Sequence, residues 1–277
     1  MHYDSITALG IIGLLIFLFL YIVFSVLRDA IYFFLIHYFG LVNLFILKEE
    51  QQNILNELNK INYYKNLSVV GKNYFYHRVI VFMINKHFFG DGIKLSDEVK
   101  TYISASAVQL TFHIRGFYIE HIQLIRVFPQ AVWSQMAQHD VKGLTTGGGV
   151  MWLSWPDIKK GFDFPDDGIN LGIHEMAHAF KFTLRCDHSS SNRICSSIRN
   201  WSNAAKSSFL KLQEGDTSFF RSYGATNMEE YWAVNVECFF EKPEEFVQLY
   251  PEIYILLCKV FNQNPLNASN DYQLRNK

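Results

Sequence analysis

The sequence predicts an α+β fold that is mainly helical, contains a small sheet and follows a transmembrane helix. Several segments of the 277-residue chain repeat apolar residues at the spacing of a helix, whereas residues 121–127 and 150–155 show the pattern of strands. Residues 6–27 form a run of 22 without a charge, which is long enough to cross a bilayer. We therefore expect a membrane anchor followed by a globular domain.

The amino-terminal run is apolar on every face, which favours a membrane helix over a buried core helix. No positive charge precedes it and no small-residue cleavage site follows it, so a cleaved signal peptide is disfavoured. Residues 30–47 are a second apolar segment, which is either a second span, an interfacial helix or a continuation of the first. We expect a single-pass protein, and Arg28 just after the run favours a cytoplasmic location for the domain that follows.

Beyond this anchor, assigned to residues 1–47, the chain divides into three further parts. Residues 48–65 are polar with apolar residues at helical spacing, which predicts a linker helix. Residues 66–265 are expected to form the main domain, and residues 266–277 a polar tail. Within the main domain, helices are predicted at residues 69–86, 96–112, 156–161, 203–212, 228–240, 243–249 and 251–261.

Local signals justify the boundaries of these elements. Ser96 is a suitable N-cap, and Pro156 occupies the first turn of its helix, as proline often does. Asn170 is expected to cap a helix from about residue 171, and Asn227 or Thr226 to cap the helix at 228–240. Loops are predicted at residues 88–92 and 186–197, and a glycine turn at residues 147–149.

Composition excludes some classes of function. The net charge of −1 and pI near 6.8 give no electrostatic reason to expect a nucleic-acid partner. Four cysteines without a CxxC pair predict neither a disulfide framework nor a structural zinc module. Cys186 and Cys195 are suited either to pairing in an oxidising compartment or to remaining thiols in a reducing one.

The segment His174-Glu175-Met176-Ala177-His178 carries the chemistry. Residues four apart lie on one face of a helix, so His174 and His178 can direct their imidazoles at one metal ion. Glu175 lies where its carboxylate can reach a water on that metal and act as a general base. An amphipathic helix that happens to carry two histidines is the alternative.

A catalytic zinc site needs a third protein ligand. No histidine lies at the metzincin spacing beyond His178, which leaves a carboxylate on a later helix. Glu237 is the candidate, because it lies among apolar residues where a carboxylate is costly to bury without a partner such as a metal. A solvated glutamate on the polar face of its helix is the alternative.

Residues 69–265 resemble the Mlc titration factor A (MtfA) family of zinc peptidases, which are gluzincin-type enzymes distantly similar in their catalytic core to anthrax lethal factor. The resemblance rests on ordered blocks along the chain. These are Leu153-Ser154-Trp155, Asp157, Asp167-Gly168, Asn170, His174-Glu175-Met176-Ala177-His178, Tyr223-Gly224-Ala225-Thr226, Glu230-Tyr231-Trp232-Ala233-Val234, Glu237, Phe239-Phe240-Glu241-Lys242-Pro243, Tyr250-Pro251 and Asn264-Pro265.

This resemblance implies a zincin-like metallopeptidase domain with Zn²⁺ held by His174, His178 and Glu237. It implies Glu175 as the base and Tyr223 as a hydrogen-bond donor to the oxyanion. The chain departs from the family at Lys181, where many members carry an acidic residue. The strand at residues 150–154 is expected to offer its edge to an extended peptide.

Three functions follow from these features. The first is a membrane-anchored zinc metallopeptidase that hydrolyses peptides or proteins, in an aminopeptidase-like manner. The second is a zinc-containing regulatory protein that sequesters a protein partner such as a transcriptional regulator. The third, a zinc-stabilised structural domain, is disfavoured because a purely structural site has no need for Glu175 beside the metal.

Overall fold

The computed structural model describes residues 46–115, 119–135, 137–184 and 192–274, together with six positions between residues 15 and 23. The chain separates into two units, residues 1–48 and residues 49–277. The predicted linker helix and most of the predicted polar tail belong to the second unit.

The expected membrane location is wrong on this structure. Among the residues described, no helix is both long enough and apolar enough to cross a bilayer. The predicted span at residues 6–27 and the second apolar segment at residues 30–47 fall almost entirely outside the described residues.

The fold is mostly helical with a small sheet, as the sequence predicted. Ser96 caps its helix by accepting a hydrogen bond from the Val99 N–H, and Asn227 accepts from the N–H groups of Glu229 and Glu230. The helices are α1 (Lys48–Leu58), α2 (Asn62–Lys65), α3 (Val69–Asn85), α4 (Asp97–Thr111), α5 (Trp155–Asp163), α6 (Leu171–Leu184), α7 (Arg193–Gln213), α8 (Met228–Glu241), α9 (Pro243–Leu249) and α10 (Pro251–Phe261), with short 3₁₀ turns at Ser222–Ala225 and Ala268–Asn270.

A four-stranded sheet has the order β1-β2-β6-β5, and a separate hairpin pairs β3 with β4. The strands β1, β2 and β6 are parallel, whereas the short β5 runs antiparallel to β6 at the edge. Their bounds are β1 (His87–Gly90), β2 (Leu124–Phe128), β3 (Val132–Ser134), β4 (His139–Val141), β5 (Gly143–Thr145) and β6 (Val150–Ser154).

Three sequence expectations change. Residues 88–90, predicted as loop, belong to β1, and residues 193–197 of the predicted loop at 186–197 form the start of α7. The strand β6 lies between β2 and β5, so it has no open edge for a peptide; the edge strands of this sheet are β1 and β5, of which β5 contacts α6. The possible pairing of Cys186 with Cys195 involves a residue outside the described ranges.

Helix α6 lies at the centre, in contact with α8, α4, α5, β5 and β6. One apolar cluster fills the space between α6, α7, α8 and α10, with Trp201, Trp232 and Phe261 fully buried. A second cluster joins α6 to the sheet through Met176, Ala179 and residues of β2 and β6. Burial on both sides holds α6 in place, which fixes the side chains it directs toward the sheet edge.

Candidate metal centre and catalytic site

Helix α6 begins where several contacts hold it firmly. The side-chain oxygen of Asn170 accepts a hydrogen bond from the Ile173 N–H at 3.1 Å, as predicted for an N-cap. A Cβ at Gly172 would lie 2.2 Å from the Ser106 hydroxyl of α4, so only glycine allows the two helices to approach this closely. These contacts fix the rotation of α6 about its axis.

The two histidines of α6 converge as their spacing predicted. Their rings are 4.9 Å apart between centroids, and the two Nε2 atoms are 3.3 Å apart. His174 is buried and His178 is partly buried. Two ring nitrogens this close leave room for one ion between them, or for one shared proton.

The carboxylate that meets both histidines belongs to Glu230. Its Oε2 lies 3.0 Å from Nε2 of His174 and 3.5 Å from Nε2 of His178. Donor atoms of these three residues all lie within 4.8 Å of one another. The grouping differs in one member from the predicted His174, His178 and Glu237.

Glu237 lies on the other side of the His174 ring. One carboxylate oxygen is 3.0 Å from Nδ1 of His174 and pairs with Arg221, and the other accepts from the Asn170 N–H at 2.8 Å. Its side chain is completely buried, which excludes the alternative of a solvated glutamate. The buried carboxylate of Glu237 therefore has three partners: the imidazole of His174, the backbone amide of Asn170 and the guanidinium of Arg221.

Sequence reasoning missed both Glu230 as a metal-facing residue and Arg221. Glu230 was visible within the matched block of α8, in the first turn after the Asn227 cap. Nothing local in the sequence marks Arg221, because its role depends on the 3₁₀ turn at Ser222–Ala225 contacting α8.

The electrostatics of the cluster favour a positive charge at its centre. Burial alone would lower the pKa of His174, but the charge of Glu237 and hydrogen bonds to Glu230 and Glu237 raise it to about 10. Burial would raise the pKa of Glu230, but hydrogen bonds and charge interactions with His174 and His178 hold it well below its usual range. The carboxylates thus stabilise a cation here, whether a proton or a metal ion.

Glu175 lies against the edge strand of the sheet. Its Oε2 accepts a hydrogen bond from the Thr145 hydroxyl at 2.7 Å. A Cβ at Gly143 would lie 2.4 Å from the Glu175 Oε1, so the carboxylate packs directly against the backbone of β5. Burial raises the pKa of Glu175, which makes it a stronger proton acceptor than an ordinary glutamate.

Tyr223 lies at the mouth of the site, beside His174. Its ring centroid is 5.8 Å from that of His174, and the Arg221 guanidinium lies 5.3 Å from its ring. Burial of the phenol, followed by the charges of Glu230 and Glu175, raises the pKa of Tyr223 to about 12. The hydroxyl therefore remains a hydrogen-bond donor at neutral pH.

Two cavities adjoin the site. One has a volume of about 730 Å³ and is bounded by Leu144, His178 and Phe182. The other, about 350 Å³, is bounded by Lys142 and Arg221. The residues common to both are His139, Val141, Gly143, Glu175 and Tyr223.

Lys181, the departure noted in the sequence, lies one turn beyond His178. Its ammonium is 2.6 Å from the carboxylate of Glu229, the neighbour of Glu230 on α8. It also lies 5.8 Å from the centre of the Trp232 ring. Lys181 therefore links α6 to the start of α8. Unlike the acidic residue that many family members carry at this position, it has no carboxylate to offer to either histidine.

A helix bearing His-Glu-x-x-His whose histidines meet a glutamate from a second helix is the arrangement of a metallopeptidase site. The chain belongs to the family described as glucose-regulated metallo-peptidase M90, whose sequence model matches residues 46–262. The match extends from just before α1 to the end of α10.

Relatives of this chain include proteins named Mlc titration factor A. The one from Escherichia fergusonii is 34% identical over 127 residues, and one from Escherichia coli is 30% identical over 126 residues. These matches cover 43% of this chain and 46% of each relative, so the chain spans about half the length of these relatives. An uncharacterized protein of Synechocystis is 25% identical over 230 residues, which are 75% of this chain and 82% of that protein.

Proposed function

We propose that this protein is a zinc-dependent peptide hydrolase in which His174, His178 and Glu230 hold the metal. The observation that carries the proposal is the approach of one Glu230 oxygen to both Nε2 atoms, at 3.0 and 3.5 Å. This revises the ligand set expected from the sequence, in which Glu237 was the third ligand.

The donor set fits a catalytic zinc ion. Two imidazole nitrogens and one carboxylate oxygen form the His₂Glu set that zinc hydrolases use, and three protein ligands leave a position for water or substrate. Hard cations such as Mg²⁺ and Ca²⁺ prefer sites made of oxygen atoms alone. When bound, the ion supplies a Lewis acid that polarises a carbonyl group and lowers the pKa of water toward neutrality.

Glu237 then acts as a positioning residue. A carboxylate on Nδ1 fixes the tautomer of His174, because the proton stays on Nδ1 and Nε2 is left free to bind a metal. Arg221 and the Asn170 N–H satisfy the remaining lone pairs of Glu237, which keeps a buried carboxylate from being unpaired.

Glu175 is proposed as the general base. It would accept a proton from the attacking water and deliver it to the leaving amine. The Thr145 hydroxyl orients the carboxylate, and the backbone of Gly143 limits its movement on the other face.

Tyr223 is proposed to stabilise the negative charge that develops on the carbonyl oxygen. Its phenol is protonated at neutral pH and lies beside Glu175 and His174, at the junction of the two cavities. A preorganised donor of this kind contributes most when charge develops in the transition state.

The edge strand β5 is proposed to bind the substrate backbone. The backbone bonds from Ser154 N–H to Lys142 and from Thr146 N–H to Val150 show that even-numbered residues of this segment face β6. The N–H and C=O groups of Gly143 and Thr145 therefore point away from β6, along the edge beside Glu175. An extended peptide can pair with them by strand addition.

Metal analysis of the purified full-length protein tests the ligand assignment. We expect Glu230→Ala to lose zinc during dialysis against a chelator, and Glu237→Ala to bind it about 10- to 100-fold more weakly than the wild type. Glu229→Ala is the matched control, because it removes the adjacent, exposed carboxylate of the same helical turn. Full zinc content in Glu230→Ala together with loss of zinc from Glu237→Ala would contradict Glu230 as the third ligand and support Glu237 instead.

A second candidate function is binding of a protein partner. The name Mlc titration factor A describes titration of a partner, and on that ground this chain is a candidate to sequester a transcriptional regulator. The variant Glu175→Gln separates the two functions, because it removes the base and keeps the metal ligands. A variant that binds zinc, hydrolyses nothing and retains the biological function would make binding the primary role.

A further inference from the structure

A third cavity, of about 320 Å³, shares no lining residue with the two cavities of the candidate site. Its walls come from α2 and its flanks, from α4, from the end of α5, from the junction of α8 and α9 and from the segment after α10. Asn170 lines this cavity and links it to the metal centre, because its side chain contacts Glu241 and its backbone N–H contacts Glu237. The cavity is therefore a separate space, with a volume at the lower end of the range for small-molecule sites.

The side-chain amide of Gln109 is the first sign of a ligand in this cavity. Gln109 belongs to α4, is only 8% exposed and lines the cavity. Its backbone carbonyl accepts a hydrogen bond from Gln263, but within the described part of the chain its side-chain amide has no hydrogen-bond partner. Burying an amide without a partner is costly, and most buried amides in proteins are paired. A molecule in the cavity would supply the missing partner.

The carboxylate of Glu241 gives the cavity a negative charge. One of its oxygens accepts from the side-chain amide of Asn170 at 2.9 Å, and the other from the Gly168 N–H at 3.0 Å. Both donors are neutral, and a carboxylate can accept about four hydrogen bonds, so acceptor positions remain for a ligand. Burial, together with the charges of Glu237 and Asp167, raises the pKa of Glu241 to about 8. A carboxyl group behaves in this way when its surroundings do not compensate its negative charge.

Aromatic rings line the same cavity. Tyr63 stacks on Tyr272 with ring centroids 4.1 Å apart, and the Phe240 ring meets Tyr63 edge-on at 6.4 Å. The Tyr63 hydroxyl donates to the side chain of Gln263, and the Tyr272 hydroxyl donates to the Tyr63 carbonyl, which holds both rings in place. The faces of aromatic rings attract cations, and sites for organic ammonium ions are built from such rings.

We infer that this cavity is a binding site for a small organic ammonium ion, held by the Glu241 carboxylate, the Gln109 amide and the rings of Tyr63 and Phe240. Among the described residues that line the cavity, the charged ones are Glu241 and Glu244, so the lining favours a cation over an anion. The ammonium group can donate to the carboxylate and to the amide oxygen, while its carbon atoms contact the rings. A metal cation such as Mg²⁺ or Ca²⁺ would instead need a shell of oxygen ligands. This site does not depend on the proposed hydrolase activity.

Charged and neutral probes of similar shape test the inference. Butylammonium and benzylammonium chlorides are titrated against the full-length protein, alongside butanol and benzyl alcohol, and dissociation constants are measured by ligand-observed NMR at constant ionic strength. Glu241→Gln and Gln109→Leu remove the charge and the amide from the cavity while changing its shape little. Glu245→Gln is the matched control, because it neutralises a nearby carboxylate that pairs with Lys242 and does not line the cavity. Glu175→Gln reports any binding of the probes at the peptide site.

We expect each ammonium probe to bind the wild type at least about 10-fold more tightly than its alcohol counterpart, because a hydrogen bond to a charged group is stronger than one between neutral groups. Binding should weaken by about 10-fold or more in Glu241→Gln and by about 3- to 10-fold in Gln109→Leu. Glu245→Gln and Glu175→Gln should bind like the wild type. The melting temperature of Gln109→Leu should equal or exceed that of the wild type, because the unpaired buried amide is removed.

Equal affinity for ammonium and alcohol probes would overturn the inference, as would wild-type affinity in Glu241→Gln. Loss of binding in Glu175→Gln would place the probes at the peptide site and overturn it as well. None of these results would count against the proposed hydrolase, whose test is zinc content and peptide cleavage. If Glu241→Gln fails to fold, Gln109→Leu decides: unchanged affinity for the ammonium probes in that variant would refute the site.

Discussion

Replacing Gly143 with alanine should displace Glu175, the proposed base, without removing the metal. The new Cβ would lie 2.4 Å from Oε1 and 2.7 Å from Cγ of Glu175, and 2.7 Å from Cδ1 of Leu171. Carbon atoms in ordinary contact are about 3.5–4.0 Å from their neighbours, so the carboxylate must move by about 1 Å. A displacement of this size at a reacting group costs about 100-fold in rate, or about 2.7 kcal/mol of transition-state stabilisation.

The assay is kcat/KM for peptide hydrolysis together with zinc content for Gly143→Ala. Gly147→Ala is the matched control: it makes the same change in the turn that follows β5, where the added Cβ would have no neighbour within 4 Å. We expect wild-type zinc in both variants and the rate loss only in Gly143→Ala. Activity within about threefold of wild type in Gly143→Ala would refute the role assigned to this contact. Loss of zinc would show that the glycine supports the metal ligands instead of the base.

Three further predictions concern the surroundings of the site. Trp232→Phe removes the hydrogen bond from the buried indole to the Ala177 carbonyl, so urea unfolding should show a loss of about 1–3 kcal/mol. Arg221→Gln leaves Glu237 without its cation, and chelator competition should show zinc affinity reduced by about 10-fold or more; unchanged affinity would argue against the positioning role of Glu237. Burial raises the pKa of Glu241 to about 8, so the folded state holds its proton longer than the unfolded chain, and stability should fall as pH rises from about 5 to 8. Glu241→Gln should remove up to about 4 kcal/mol of this fall in the free energy of unfolding. Parallel pH profiles of wild type and Glu241→Gln in urea unfolding would contradict the assignment.

The helices of this fold follow from local signals in the sequence. Caps at Ser96, Asn170 and Asn227 act as predicted, since a side-chain oxygen needs only the first turn of its own helix. The parallel strands at residues 124–128 and 150–154 lie close to their expected positions, because their burial alternates along the chain as the residue pattern predicts. The helix caps depend on contacts that are close in sequence, and the two strands are marked by the pattern of their own residues.

The short strands were not predictable in the same way. The sequence predicts a loop where β1 lies, because the four residues of this strand carry no distinct pattern and its pairing with β2 joins residues 37 positions apart. Strand β5 has three residues, one of them a glycine, so propensity argues against it. The identity of the edge strand depends on which strands pair, and the expectation that β6 offers an open edge failed for that reason.

The choice between Glu230 and Glu237 as the third metal ligand also depends on contacts between residues far apart in the sequence. The two residues are seven positions apart, so they lie on one face of α8 and about 10.5 Å apart along its axis. In the structure the imidazole of His174 bridges the gap, with Nε2 toward Glu230 and Nδ1 toward Glu237 at 3.0 Å each.

Burial was the argument for choosing Glu237, and Glu237 is indeed the more deeply buried of the two carboxylates. A metal ligand, however, must border the space that admits substrate, whereas a carboxylate that orients a ligand is enclosed behind it. Of the two, partly exposed Glu230 lines the larger cavity beside His178, whereas Glu237 borders the smaller cavity, is fully buried and contacts the N-terminal end of α6. When two carboxylates share one face of a helix opposite a His-Glu-x-x-His segment, the less buried one is therefore the better candidate for the ligand.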